Sequence, residues 1–296
     1  MHRAGYLGPE GTFSEEALLA SAAPGAVEPV PLASIYETVA ALGQGDVDWA
    51  LVPIENSLDG SIRVTLDLLA DHAGALEIVA ETSLAISHSL IAAEPLELEE
   101  IDTVITHPQV PGQCAHFLRT ELPQARILTA RSTAEAVRDV ARGGDGRRGH
   151  AALGTILAAR IYGGTVIREA VEDRRDNETR FVWLGRVGDG AGPAPLREQA
   201  GDQWRTSLVF WGSGAESPGW LVRCLDEFAR REINLTKIES RPRRERMGRY
   251  MFFADLGGRL ADEPIAEAID GLAHVCEEVR VLGSYAAAPE RGGRGS

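Results

Sequence analysis

The sequence predicts an α/β protein in two parts: an N-terminal domain on a largely parallel sheet and a smaller C-terminal module of four antiparallel strands and two helices. Three observations lead there. Over the first 185 residues, short apolar runs alternate with helical patterns, the signature of strands joined by crossover helices. A stretch rich in Gly, Ala and Pro, "GRVGDGAGPAPLREQAGDQ" at 185–203, then breaks every period and reads as a flexible linker. Beyond it, 205–285 falls into strand, helix, strand, strand, helix, strand, an order that gives an antiparallel sheet with both helices on one face.

In the first part, strands are expected at 3–7, 47–54, 76–86, 102–106, 126–130, 150–153, 165–171 and 179–185. Helical patterns such as "SIYETVAALGQG" and "STAEAVRDVARGG" lie between them. The second opens with Ser132 and Glu135, and an earlier one with Thr12 and Glu15, two capping boxes that satisfy free backbone N–H groups. In the C-terminal module Leu221, Cys224, Leu225 and Phe228 recur at helical spacing and make one apolar stripe. The run "RPRRERMGRY" reads as a solvated hairpin turn. The last eleven residues, rich in Gly and Arg, read as a disordered tail.

Composition excludes several classes of function. With 30 Lys+Arg against 44 Asp+Glu the net charge is −14, which argues against nucleic acid or an anionic membrane as partner. No apolar run approaches the ~20 residues of a bilayer span, and the N-terminus has no signal pattern. Cys114, Cys224 and Cys276 are odd in number and lack C-x-x-C spacing, as expected of reduced thiols in a cytoplasmic protein. His107, Cys114 and His116 lack zinc-site spacing, and no dinucleotide fingerprint, P-loop or nucleophile elbow occurs.

Polar clusters at strand ends carry the functional signal. "YLGPEGTFSEEALLA" ends a strand at Leu7 and starts a helix at Thr12; "LVPIENSLDGSI" ends one in Glu55, Asn56 and Ser57. "VITHPQVPGQCAHFL" runs from Thr106 and His107 to Gln113, and "DNETRFVWLG" sets Asn177, Thr179 and Arg180 before a buried strand. In open α/β sheets ligands lie at the carboxyl ends of strands. Each cluster has a plainer reading: Thr12 as a helix cap, Glu55-Asn56-Ser57 as an Asx-type turn, His107 as a turn residue, Arg180 as the partner of Asp173, Asp176 or Glu178. Together they imply a cleft with one fixed cation, amides and hydroxyls, suited to a small carboxylated molecule.

"GPEGTFSEEA", "PIENSLDGSI", "THPQVPGQC" and "NETRFVWLG" follow one another as they do in prephenate dehydratases, and the chain resembles that family over nearly its whole length. "PGWLVRCLDEFARREINLTKIESRP" resembles the ACT regulatory domain fused to them. The resemblance implies a two-lobed, periplasmic-binding-protein-like catalytic domain at 1–186, with lobes at about 1–79 plus 166–186 and 80–165. A linker at 187–204, a ferredoxin-like βαββαβ ACT domain at 205–285 and a tail at 286–296 complete it. The implied reaction converts prephenate to phenylpyruvate, CO2 and water on the way to phenylalanine, with no cofactor. Some relatives carry an N-terminal chorismate mutase; this chain starts on the dehydratase strand and is expected to lack that activity. Arogenate dehydratase and a non-enzymatic small-molecule sensor are the alternatives.

The resemblance implies catalytic roles for Thr179, Glu55, Asn56 and Gln113, with Arg180 and Thr106 binding substrate; the strand-end clusters themselves add Thr12, Ser57 and His107 as substrate-binding candidates. Arg180 would clamp a carboxylate with its planar fork. Thr179 would donate a hydrogen bond to the leaving hydroxyl, and Glu55, set among apolar residues as a neutral acid, is the rival donor. Gly219, Trp220, Leu221, Asn234, Glu239, Ser240, Arg241 and Pro242 would form an effector site for phenylalanine or another aromatic amino acid. Trp220 stands where the family usually has Ala, adding volume beside that site. ACT-type pairing implies a homodimer or homotetramer.

Overall fold

The computed structural model describes residues 1–143, 148–188, 195–197, 203–212, 217–243 and 248–289. From β1 (His2–Leu7) the chain passes through α1 (Phe13–Ser21), β2 (Val27–Leu32), α2 (Ile35–Gln44), β3 (Trp49–Asn56), β4 (Gly60–Ser61), α3 (Arg63–Asp71) and β5 (Leu76–Ala85). It crosses to β6 (Ser89–Ala92), β7 (Thr103–Thr106), α4 (Val110–Gln113), α5 (Ala115–Glu121), β8 (Arg126–Thr129), α6 (Thr133–Ala141), β9 (His150–Gly154), α7 (Ile156–Tyr162) and β10 (Thr165–Arg168). It returns as β11 (Glu178–Arg186). The C-terminal module comprises β12 (Trp204–Trp211), α8 (Trp220–Ala229), β13 (Leu235–Pro242), β14 (Tyr250–Gly257), α9 (Glu263–Val275) and β15 (Glu278–Ala286).

The two lobes are as expected, each built on its own sheet, but both sheets are mixed where the alternating pattern suggested a largely parallel one. The first lobe orders its strands β2-β1-β3-β11-β5, with β4 on β3; the second orders them β10-β6-β9-β7-β8. β11 comes back from the second lobe and enters antiparallel between β3 and β5. An antiparallel strand places its N-terminal end beside the C-terminal ends of its neighbours, so "NETR" meets "IENS". β10 pairs with β6 in the second sheet, so 166–168 belongs there and the outward crossing lies at Ile86–His88. Three strands escaped the sequence reading, the two-residue β4 among them. β2, "VEPVPL", carries two prolines and survives because it is an edge; β6, "SLIA", is four residues long and too short for a period.

The C-terminal strands run β13-β14-β12-β15, all antiparallel. One face carries α8 and α9 over a core of Leu208, Phe210, Cys224, Phe228 and Leu272. The other lies on the first lobe, where Val209, Phe253, Leu282 and Tyr285 share one core with Val52, Leu66, Ile78 and Val182. Of the expected linker, 189–194 and 198–202 lie outside the described residues, and Leu196 bridges antiparallel to Ala22. The expected tail begins later than 286: Ala287 N donates to Gln203 O at 2.9 Å and Ala288 N to Glu81 Oε1 at 2.9 Å; residues 290–296 lie outside the described residues, as do 244–247 of the basic turn. No helix among the described residues is long and apolar enough to cross a membrane.

Candidate active site

The cleft between the lobes encloses about 860 Å³. One residue in β3 decides what faces it. Thr179 pairs with Asn56 and Arg180 with Glu55, but Phe181 pairs with Pro53, so Ile54 is an extra residue, a β-bulge. Plain alternation would set Glu55 on the face of Pro53. The bulge reverses the parity beyond it, and Pro53, Asn56, Thr179 and Phe181 all line the cleft.

A chain of hydrogen bonds runs along the cleft floor, and its direction follows from groups that can only donate. Backbone N–H groups of Leu58 and Asp59 reach Asn56 Oδ1 at 2.9 and 3.0 Å, so the other end of this amide is its NH2. That NH2 donates to Asn177 Oδ1 at 2.8 Å and to Thr179 Oγ1 at 2.9 Å. Asn177 Nδ2 then donates to Gln113 Oε1 at 3.2 Å, an oxygen also met by His88 Nε2 at 3.0 Å. Because Thr179 Oγ1 accepts, its hydrogen is left to donate, and it has no acceptor among the described residues.

Four expected site residues lie elsewhere. Arg180 points to the back of β11, where its guanidinium meets Glu55 at 3.0 Å, Glu81 at 3.0 Å and Asp255 at 2.8 Å. Burial disfavours its charge, yet Asp255 and Glu81 outweigh this and hold its pKa raised. It is no substrate clamp. Glu55 shares that face, bonded to Arg180 and lying 3.3 Å from Lys237 Nζ, so it is no donor into the cleft. Thr106 is fully buried and donates to Leu153 O at 2.9 Å, tying β7 to β9. Ser57 donates to Asp176 O at 3.1 Å and accepts from Glu178 N at 2.9 Å, bracing the segment before β11.

Thr12, Asn56, His107, Gln113 and Thr179 do line the cleft. Thr12 is also the N-cap of α1, donating to Leu7 O at 2.9 Å and accepting from Glu15 N at 3.4 Å. Burial pushes the pKa of His107 down. The first turns of α1 and α6 both open into the cleft, from opposite lobes, through Phe13, Ser14, Ser132 and Thr133, and helix N-termini favour anions. Arg131 and Arg142, both exposed, stand on the second-lobe wall. The lobes touch where Thr155 Oγ1 donates to Gly11 O at 2.6 Å and Tyr162 Oη to Glu10 O at 2.8 Å. Gly11 is required there: its φ is +83°, and a Cβ would come within 2.8 Å of Ala158. Cys114, next to Gln113, is buried and its thiol is pushed up to about 12, so it offers no thiolate.

In the C-terminal module Gly219 caps α8 with φ +80°, and Trp220 is turned inward, its Nε1 donating to Val275 O at 2.9 Å. Leu221 is partly buried against the same core. Arg241 is committed to Asp67 of the first lobe by a two-pronged contact at 2.6–3.0 Å, which corrects its expected place in an effector pocket. Asn234 accepts from Gly257 N at 2.9 Å through its backbone, while Glu239, Ser240 and Pro242 lie along the edge strand β13. Sequence reasoning missed His88, Arg131 and Arg142 as cleft residues. For His88 a signal existed: "SHS" interrupts two apolar runs as the other clusters do.

Two α/β lobes enclosing a floor of oriented amides, with the Thr179 hydroxyl left to donate, define a protein that holds a small molecule in an interlobe cleft. A profile of the prephenate dehydratase family matches residues 4–188. A prephenate dehydratase of Mycolicibacterium vanbaalenii is 42% identical over 293 residues, 95% of this chain and 89% of the relative. A crystal structure of a prephenate dehydratase in complex with L-Phe from Arthrobacter aurescens is 33% identical, with TM-score 0.83 over 96% of this chain and 89% of that one. A solved quorum-quenching acylase, GqqA, is 28% identical with TM-score 0.83 over 97% and 98%. The chain belongs to the prephenate dehydratase family.

Proposed function

We propose that this chain converts prephenate to phenylpyruvate, CO2 and water. The C–C bond to the ring carboxylate breaks as CO2 leaves, its electron pair moves through the ring, and the opposite C–O bond breaks as hydroxide departs. Hydroxide needs a proton, and Thr179 supplies a hydrogen bond to it, with one proton taken up from bulk solvent and relayed through water because a threonine is too weak an acid to surrender its own. The observation carrying this reading is the Thr179 hydroxyl, whose oxygen accepts from Asn56 and whose hydrogen stays available. Gln113 and Asn56 orient the ring. The anchors for the two carboxylates are the first turns of α1 and α6 with Arg131 and Arg142, in the place earlier expected of Arg180.

Incubation with prephenate should release phenylpyruvate, and Thr179→Val should lower kcat by ~10²–10⁴ with KM little changed. Equal turnover by that variant would remove Thr179 from the reaction. Arogenate in a parallel assay tests the amino-bearing alternative, with phenylalanine as its product. Regulation by phenylalanine through the C-terminal ACT-like module is supported by the phenylalanine complex of the Arthrobacter relative. The backbone edge of β13 near Glu239 and Ser240, with the start of α8 at Gly219, is the effector site in this reading. Exposed Val222 and Ile238, on α8 and β13, favour homodimer pairing there, in a cytoplasmic enzyme.

A further inference from the structure

His88 occupies the crossing between lobes, three residues after β5 ends and one before β6 begins. Its backbone is tied to the return crossing, with His88 N donating to Glu172 Oε2 at 2.8 Å and Val171 N to His88 O at 2.9 Å. Its ring is 2% exposed and lies in the cleft wall, edge-on to Phe13 of the first lobe with centroids 5.3 Å apart. Nε2 reaches Gln113 of the second lobe at 3.0 Å. Nδ1 is buried and has no partner among the described residues.

The direction of the floor chain fixes the imidazole. Gln113 Oε1 already accepts from Asn177 Nδ2, so it is an acceptor for His88 too, and the ring must carry its hydrogen on Nε2. The amide of Gln113 is thereby held by two donors on its oxygen. Its NH2 is turned the other way, toward Asp59 Oδ2 at 3.4 Å. Burial holds the pKa of His88 below its ordinary 6.5, outweighing the Gln113 bond and the Glu172 carboxylate, so the ring is neutral at pH 7.

We propose that His88 is a positioning residue for the elimination: as a neutral Nε2–H imidazole it locks the Gln113 amide and closes the floor chain that ends on Thr179. This rests on the proposed prephenate reading. Without the imidazole, Gln113 keeps one donor on its oxygen and can turn its carbonyl into the cleft, where it would repel the substrate's oxygens. Only Nε2 takes part, so a side chain that offers one N–H at the same reach should replace it. Glutamine does; leucine does not.

The test compares wild type, His88→Leu and His88→Gln with prephenate. His88→Leu should lose roughly ten- to hundredfold in kcat, the equivalent of one buried hydrogen bond, with KM moving far less. His88→Gln should recover most of it. A His88→Leu enzyme with wild-type kcat, or a His88→Gln enzyme as slow as His88→Leu, overturns the proposal while the prephenate reading stands. A folded wild type that releases no phenylpyruvate overturns both. Nitrogen-15 NMR of histidine-labelled wild type, with His88 assigned by its loss in His88→Gln, reads the ring's tautomer directly and needs no activity from the variant. A neutral Nε2–H ring at pH 7 supports the proposal, and an Nδ1–H or charged ring defeats it.

Discussion

Asn56 shows how one amide sets the chemistry of another residue. Its oxygen is held by two backbone N–H groups, and its NH2 is shared among Asn177 Oδ1, Glu178 O and Thr179 Oγ1 at 2.8–3.2 Å. Asn56→Asp keeps the shape but turns that donor into an acceptor. The Thr179 hydrogen would then turn back to the new carboxylate, and the leaving hydroxyl would lose it. Turnover should fall by ~10²-fold or more although the threonine remains. Adding Thr179→Val to Asn56→Asp should cost little more, since both remove one function; additive losses would contradict this coupling. His88 makes a pH prediction at the same scale. Its folded pKa lies below 6.5, so the unfolded chain binds more protons as pH falls beneath that value. The contribution is complete above pH ~6.5 and shrinks on acidification, and urea midpoints of His88→Gln should lack that component.

At the scale of elements, β3 and β11 separate what was legible from what was not. The apolar runs "ALVPI" and "FVWL" mark both as buried strands, and the polar residues at their ends mark the site. A one-residue bulge at Ile54 leaves no trace in composition or period, so period-two alternation places Glu55 where Asn56 belongs. The partners of Arg180 were equally hidden, because Glu81 is 99 residues away in sequence and Asp255 is 75. A lone arginine in a polar cluster reads as a ligand clamp, whereas this one is a buried ion held by three carboxylates. The consequence is testable. Arg180→Met leaves Asp255 and Glu81 short of a partner beside the buried Tyr285 and should destabilise by about 3–5 kcal/mol in urea unfolding. If the variant unfolds like wild type but binds prephenate weakly, Arg180 belongs in the cleft after all.

The whole molecule depends on the surface where the C-terminal sheet lies against the back of the first lobe. Behind Asn56 and Thr179 that surface is ionic: Arg180 joins Glu55 of β3, Glu81 of β5 and Asp255 of β14, and Arg205 of β12 reaches Glu81 at 2.5 Å. Ser207 bonds Asp255 at 2.6 Å and Tyr285 at 2.7 Å. Around it the surface is apolar and continuous with the first lobe's own core. Shared burial of this kind makes two sheets unfold as one unit. Gly283 of β15 is a point of close approach, since a Cβ there would stand 2.2 Å from Ile78 O on β5 and 2.8 Å from Ile78 Cβ. Neither backbone can give way without parting the sheets, so Gly283→Ala should weaken the contact along its length, by about 1–3 kcal/mol for an overpacked site. Urea unfolding, followed through the tryptophans of both parts, should change from one transition in the wild type to two in Gly283→Ala. The C-terminal module's tryptophans, Trp204, Trp211 and Trp220, should separate from Trp49 and Trp183 of the first lobe. A single transition at the wild-type midpoint would mean that the two sheets do not depend on this contact. In that case an effector on the module would have no rigid route to the strands that carry Asn56 and Thr179.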